Sequence, residues 1–142
     1  MKQYTSQVIG YNKTNLDTRE SFFGPSPFVD YIHSIQLAAT GADISFAAPL
    51  SFDAAIPAGP IKMADLFNLY KYENQLLVLQ LSGQEIKRYL EESYSIWTNQ
   101  MQSPSDHFLL FRADLDKALE PWQRLQHSSY NFDSAAGLNY TV

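Results

Sequence analysis

The chain has 142 residues, a mass of 16.2 kDa and a net charge of -5, which is the size of one ordinary domain. Its hydrophobic content of 45% excludes an intrinsically disordered chain, because that much apolar surface offsets the entropy of ordering the backbone. The acidic balance argues against a protein that binds the phosphate backbone of nucleic acids. No apolar run approaches 18 residues, which argues against a transmembrane helix. The absence of cysteine excludes disulfides and thiolate metal sites.

The first third of the chain predicts a short strand and a well-bounded helix. Residues 7–11 are typical of a strand or extended arm. Ser26 before Pro27 predicts a helix start. The serine hydroxyl can accept a hydrogen bond from a backbone N–H of the first turn, and a proline at the first helical position removes no hydrogen bond of the helix. The helix is expected to run from Phe28 to about Thr40 and to stop at Gly41. Its predicted apolar face consists of Phe28, Ile32, Ile35 and Ala39.

The middle of the chain predicts two strands separated by a loop and a short helix. Residues 42–48 indicate a buried strand, and the three prolines within 49–60 indicate a loop. A short helix is expected within 61–70, and the apolar run 76–81 is the clearest strand pattern in the chain.

A second long helix is predicted directly after that run. Ser82 and Glu85 have the spacing of a capping box, in which each side chain bonds the other residue's backbone N–H. One face of the expected helix is apolar and consists of Ile86, Leu90, Tyr94 and Trp97.

The last third gives weaker signals. Periodicity does not choose between helix and strand for 107–111 and 121–125. Residues 130–133 and 138–142 are predicted as strands joined by a turn at 134–137, with the second strand ending the sequence without a turn. The order of elements favours a single mixed domain of the α/β or α+β class.

Known catalytic and metal-binding patterns are missing from the sequence. The three histidines, His33, His107 and His127, do not have the spacing of metal ligands, and His33 is expected to be a packed or helix-surface residue. The sequence has neither a G-x-S-x-G elbow nor a glycine-rich phosphate loop.

One loop is a candidate for ligand binding. Residues 71–74 place the aromatic ring of Tyr72 two positions before the amide of Asn74. A planar ligand such as a nucleobase could stack on the ring while the amide bonds its edge. The alternative is that Tyr72 packs in the core and Asn74 caps a turn.

Several short motifs, in their order and spacing, carry a resemblance to a known family. They are Arg19-Glu20-Ser21, Ala39-Thr40-Gly41-Ala42-Asp43-Ile44, Ile56-Pro57-Ala58-Gly59-Pro60-Ile61, Asp65-Leu66, Tyr72-Glu73-Asn74, Leu81-Ser82-Gly83-Gln84-Glu85-Ile86 and Leu90-Glu91-Glu92-Ser93. The chain resembles the C-terminal, substrate-binding domain of the bacterial 5'-nucleotidase family. The resemblance implies that residues 1–142 are the N-terminal part of such a domain, with the end of the domain missing.

The resemblance also implies where the chemistry lies. Full enzymes of this family hydrolyse nucleotide phosphate esters at a dimetal centre in a separate metallophosphoesterase domain, so no cofactor is expected in this chain. The C-terminal domain supplies a nucleoside pocket. Tyr72 stands at a base-stacking position, Asn74 at the base-reading asparagine and Arg19 at an arginine of the family's R-E-S segment. The family's second stacking aromatic is expected beyond the chain.

Three departures from the family pattern put ligand recognition in question. Pro25 follows Gly24 where the family has asparagine, and Lys71-Tyr72 replaces Pro-Phe. Asp53 falls at or beside the position of a loop arginine, and an anion there would repel a phosphate.

Two functions remain open. The first is a domain that recognises nucleosides or nucleotides, is inactive alone, and works with a metallophosphoesterase domain or subunit. The second is a non-catalytic ligand-binding or partner-docking module that kept the fold and lost nucleotide recognition. Family resemblance implies a periplasmic or cell-surface location, although Met1–Tyr4 is not followed by the apolar region of a signal peptide.

Overall fold

A computed structural model describes residues 2–69, 72–113 and 119–142, which form short strands around two longer helices. The helices are α1 (Lys2–Thr5), α2 (Pro27–Thr40), α3 (Met63–Leu69) and α4 (Gly83–Trp97), with 3-10 turns at Arg19–Phe22, Pro121–Arg124 and Ser129–Asn131. The strands are β1 (Val8–Asn12), β2 (Leu16–Asp17), β3 (Ser45–Ala47), β4 (Ala55–Ile56), β5 (Gly59–Lys62) and β6 (Ser134–Ala136). This is a small mixed α/β fold.

Helix α2 begins and ends as the sequence predicts. The Ser26 hydroxyl accepts a hydrogen bond from the Val29 N–H at 3.3 Å, and Pro27 is the first helical residue. At the other end Gly41 takes φ +68°, a left-handed conformation that glycine adopts without a Cβ clash. The predicted apolar face is wrong in part, because Ile35 is exposed while His33 is buried.

Helix α4 confirms the predicted capping box. The Ser82 hydroxyl accepts from the Glu85 N–H at 3.3 Å, and the Glu85 carboxylate accepts from the Ser82 N–H at 2.7 Å. These bonds satisfy two backbone donors at the helix start. Of the predicted apolar face, Leu90 and Trp97 are buried.

The strands form three antiparallel pairs, β1–β5, β2–β4 and β3–β6. Strand β1 confirms the strand predicted at 7–11. Strand β3 is shorter than the predicted 42–48, and β4 and part of β5 lie in the region predicted as a loop, 49–60. These short strands are fixed by their partners, which lie up to 91 positions away in the chain.

Three strand predictions are wrong. Residues 76–81 run without strand pairing, because nothing in the described ranges hydrogen-bonds to their backbone. The predicted strand 130–133 is largely a 3-10 turn, while the predicted turn 134–137 contains β6. Small residues there favour a turn locally, but they pair with β3. Residues 138–142 form no strand.

Two clusters of buried side chains hold the fold together. The first joins β2, α2, β3 and β4 and consists of Leu16, Phe28, Val29, Ala47 and Ile56. The second joins the end of α4 to the last third of the chain and consists of Phe22, Trp97, Leu109, Leu125 and Phe132. The second cluster brings the loop before β4 against residues 122–132, and the candidate site lies at that junction.

Candidate ligand-binding site

A cavity of about 480 Å³ lies between the loop before β4 and the segment 122–130. Four aromatic side chains contribute to its wall: Phe52, Tyr72, Trp122 and Tyr130. Three of them, all except Phe52, are 46–58% exposed, so their rings are available to a ligand. An aromatic-lined cleft of this size is typical of a small-molecule site.

Tyr72 lies on this cavity and not in the core. Its side chain is 58% exposed, which contradicts the alternative in which the ring packs inside. The residue before it, Lys71, lies outside the described residues. An exposed ring on a concave wall can stack on a planar ligand without first losing core packing.

Arg19 reaches the same wall through Phe52. Its guanidinium carbon lies 5.3 Å from the centroid of the Phe52 ring, a distance typical of a cation–π contact. Arg19 does not itself line the cavity, and Asn74 does not line it either. The structure therefore places Tyr72 on the wall of the cavity and Arg19 against Phe52, another residue of that wall.

The loop that carries Phe52 is held by specific contacts at its end and at Phe52 itself. At its end, the buried Thr18 donates from its N–H to the Ala54 carbonyl and accepts from the Ala54 N–H, each at 3.0 Å. Phe52 itself packs on the buried Phe22, with ring centroids 4.9 Å apart. This wall is therefore anchored to the second core cluster and is preformed.

The charges of the cavity have both signs. Asp53 lies on the wall together with Tyr72, and Arg112 and His127 contribute the basic groups. Asp53 and Tyr72 therefore line the same cavity. An anionic group on a ligand in this cavity would be repelled by Asp53 and attracted by Arg112.

Sequence reasoning missed Trp122 and Tyr130. Trp122 lies in a stretch whose periodicity chooses neither helix nor strand, and Tyr130 lies in a segment predicted as a strand, so nothing local placed either residue near Tyr72. The available signal was compositional, since nine tyrosines, nine phenylalanines and two tryptophans exceed what two small cores absorb.

A second polar cluster surrounds His33, inside the fold. Its Nδ1 lies 2.9 Å from the Ser45 hydroxyl, and its Nε2 lies 3.3 Å from the Ser134 hydroxyl. Burial lowers the pKa of His33, while the charges of Asp30 and Asp133 act in the opposite direction. The ring joins α2 to both strands of the β3–β6 pair, so His33 is the packed histidine that the sequence suggested.

Asp133 lies beside this cluster and bonds to α4. Its carboxylate accepts a hydrogen bond from the Tyr89 hydroxyl, and its carbonyl accepts one from the Ser93 hydroxyl at 2.9 Å. Burial raises the pKa of Asp133 and also that of the Tyr89 phenol. These bonds fasten β6 to α4, and the Ser45 and Ser93 side chains are buried, whereas Ser134 is half-buried.

Within the described ranges, no three histidine, aspartate or glutamate side chains come together in a group that could hold a metal ion. The residues described therefore do not fit a dimetal centre. What the cavity offers chemically is stacking, hydrogen bonding and charge.

The family model for the C-terminal domain of 5'-nucleotidases matches residues 3–142. This chain belongs to that family. The match extends well past the motifs at 19–93 and includes the whole segment that supplies Trp122 and Tyr130 to the cavity. The match to the 5'-nucleotidase C-terminal domain thus covers both core clusters and the residues that line the cavity.

A crystal structure of a candidate 5'-nucleotidase from Staphylococcus aureus, in complex with alpha-ketoglutarate, has the same fold. The two share 23% sequence identity and superpose with a TM-score of 0.67 over 94% of this chain. This chain spans 24% of the length of the Staphylococcus protein. No curated protein sequence matches the chain.

Among the described residues, no helix is both long and apolar enough to cross a lipid bilayer.

Proposed function

We propose that this 5'-nucleotidase C-terminal domain binds a nucleoside or nucleotide-like small molecule in the aromatic cavity. The observation that carries the proposal is the exposed ring of Tyr72 on a wall shared with Phe52, Trp122 and Tyr130. Stacking of one base on an aromatic side chain contributes about 1–3 kcal/mol. Amide and hydroxyl groups on the same wall, at Gln123 and Ser129, supply partners for the edge of a base.

The domain would supply substrate recognition to a phosphoester hydrolase and would be inactive alone. In this proposal a metallophosphoesterase domain or subunit holds the divalent metals and carries out hydrolysis. The family membership supports it. The same family membership leads us to propose a periplasmic or cell-surface location.

Isothermal titration calorimetry with adenosine and AMP tests binding. We expect saturable binding of adenosine that weakens at least tenfold in Tyr72→Ala, because about 1.4 kcal/mol of stacking is a factor of ten. Tyr31→Ala is the matched control, since Tyr31 is 51% exposed on α2 and does not line the cavity. If Tyr72→Ala binds adenosine as tightly as the wild type, the ligand does not stack on Tyr72 and the proposed site is wrong.

A measurement of phosphate release tests the proposal that the domain is inactive alone. The purified chain, incubated with AMP and a divalent metal such as Mn²⁺, is expected to release no phosphate above the rate without protein. Metal-dependent release by the chain alone would overturn the idea that hydrolysis belongs to another domain.

A second function is favoured by Asp53. The carboxylate lies on the cavity wall, where it opposes a phosphate, so the domain could have lost nucleotide recognition and serve as a binding or docking module for another ligand. The calorimetric experiment separates the two, because this function predicts no heat of binding with either adenosine or AMP.

A further inference from the structure

The amide of Gln123, on the wall of the aromatic cavity, is held in one orientation. Gln123 lies in the 3-10 turn Pro121–Arg124, and its Oε1 accepts a hydrogen bond from the Glu120 N–H at 3.0 Å. Only the oxygen of a carboxamide can accept such a bond, so this contact fixes which end of the amide is the oxygen. The two donors on Nε2 remain, and within the part of the chain that the structure describes nothing accepts a hydrogen bond from them.

The carboxylate of Asp53, on the wall of the same cavity, has acceptors without donors. Asp53 is exposed, and among the described residues none donates a hydrogen bond to its carboxylate or forms an ion pair with it. The two oxygens of a carboxylate can together accept two parallel N–H bonds. A ligand that displaces water from this carboxylate without supplying donors loses affinity.

These two groups share their cavity with the exposed ring of Tyr72. Asp53, Gln123 and Tyr72 all line a volume of about 480 Å³, which is the size of a site for a single small molecule. The cavity thus offers one ligand an aromatic face, a pair of donors in a fixed orientation and two free acceptors.

We propose that the cavity selects guanine among the nucleobases, an inference that rests on the proposed function and names its base. The Watson–Crick edge of guanine carries two adjacent donors, at N1 and at the 2-amino group, beside one acceptor, O6. The Asp53 carboxylate accepts a hydrogen bond from each of the two donors. The Gln123 Nε2 donates to O6, and Tyr72 stacks on the ring.

The other nucleobases do not match this set of partners. Adenine has one donor, its 6-amino group, beside the acceptor N1, so one oxygen of the Asp53 carboxylate would face a lone pair. Cytosine likewise has one donor beside two acceptors, and the single donor of uracil or thymine lies between two acceptors. A site built to hydrogen-bond one ligand discriminates strongly against an analogue that leaves its polar groups unpaired.

Isothermal titration calorimetry with guanosine, inosine and adenosine tests the choice of base. We expect the purified chain to bind guanosine about tenfold more tightly than adenosine, because a hydrogen bond to a charged group is typically worth at least that factor. Inosine should fall between the two, since it lacks only the 2-amino group of guanosine. In N1-methylguanosine the N1 donor is blocked, and this nucleoside should bind no more tightly than adenosine.

Two substitutions in the cavity test the named side chains. Asp53→Asn leaves one acceptor in place of two, and Gln123→Glu keeps an oxygen for the Glu120 N–H but removes the Nε2 donors. Each change is expected to reduce the preference for guanosine over adenosine from about tenfold to less than about threefold. Asp43→Asn and Gln84→Glu are the matched controls, because they make the same chemical changes outside this cavity and should retain the preference.

The outcomes distinguish a wrong base from a wrong site. If guanosine binds no more tightly than adenosine, and both are weakened in Tyr72→Ala, the choice of guanine is overturned while the nucleoside site stands. A preference for guanosine that survives either change in the cavity overturns the roles of Asp53 and Gln123. If no nucleoside binds, the proposed function fails and the choice of guanine fails with it.

Discussion

The guanidinium of Arg19 lies 5.3 Å from the ring centroid of Phe52, and Phe52 lines the cavity that Tyr72 shares. The backbone of Arg19 is also fixed, because its N–H donates a hydrogen bond to the Asp17 carboxylate at 2.6 Å. The cation is thus stacked on the wall of the cavity instead of projecting into it. This arrangement gives Arg19 a role in holding Phe52, whereas the family resemblance alone places an arginine on the phosphate side of a ligand.

Replacing Arg19 should therefore weaken nucleoside and nucleotide binding alike. An exposed cation–π contact is worth about 0.5–1 kcal/mol, so Arg19→Ala should reduce affinity for adenosine and for AMP by the same factor, about twofold to fivefold, in calorimetry. Arg88→Ala is the control, because Arg88 is an exposed cation on α4 away from the cavity. A loss confined to AMP would instead place Arg19 against the phosphate.

Removing the negative charge of Asp53 should favour a phosphorylated ligand. Two unit charges 4 Å apart interact by about 1 kcal/mol in water, so Asp53→Asn should tighten AMP binding about fivefold and leave adenosine unchanged. The difference should shrink in 1 M salt, where charges are screened within about 3 Å. Asp43→Asn makes the same charge change outside this cavity and should leave both affinities as they were. An equal gain for adenosine would show that repulsion of phosphate is not the reason.

His33 should make the domain less stable in mild acid. Burial lowers the pKa of His33 in the folded state below its ordinary value of 6.5, so the unfolded chain takes up the proton first as the pH falls. The free energy of unfolding should then decrease as pH is lowered through about 6.5 and should approach its full value above it. Asp133 acts oppositely, since its raised pKa makes stability fall as pH rises above 3.8.

Urea unfolding at a series of pH values between about 5 and 8 measures how the free energy of unfolding changes with pH. His33→Gln keeps a polar group near Ser45 and Ser134 but cannot titrate, so it should remove the part of the slope centred on the histidine. In the wild type, NMR should show that the His33 ring titrates with a pKa below the ordinary value of 6.5. A variant with the wild-type slope would assign the pH dependence to other groups.

The two long helices could be predicted because their signals are local. Each helix boundary depends on contacts within four residues. Helix α2 begins at Ser26 with Pro27 and ends at Gly41, and α4 begins at the capping box of Ser82 with Glu85. The strands could not be predicted as well, because each depends on a partner distant in sequence. Ser134–Ala136 reads as a turn until β3 pairs with it, and 76–81 reads as a strand although the described residues supply no partner.

The candidate site divides in the same way. A local pattern, an aromatic ring two positions before an amide, predicts Tyr72 as a site residue, and Tyr72 lines the cavity. Asn74 followed from the same pattern and does not line it. Phe52, Trp122 and Tyr130 come to Tyr72 through the packing of the second core cluster, which joins segments more than 70 residues apart. No spacing in the sequence encodes that meeting.

Gly137 should be the least replaceable glycine of the chain. It follows β6 with φ +93°, and a Cβ added there would lie 2.0 Å from the Asp43 carbonyl oxygen and 3.2 Å from the Ile44 Cα. Backbone atoms cannot move aside as a flexible side chain can, so Gly137→Ala must displace the chain that leads into β3 and weaken its pairing with β6. We expect a loss of about 3 kcal/mol in the free energy of unfolding, within the range of strongly destabilising substitutions.

Gly83→Ala is the matched control, because a Cβ at the first residue of α4 meets nothing within 4 Å. For this variant we expect a small gain of about 0.4–1 kcal/mol in the free energy of unfolding, because alanine makes the unfolded chain stiffer. Equal stability of the two variants in urea unfolding would contradict the close approach of Gly137 to Asp43.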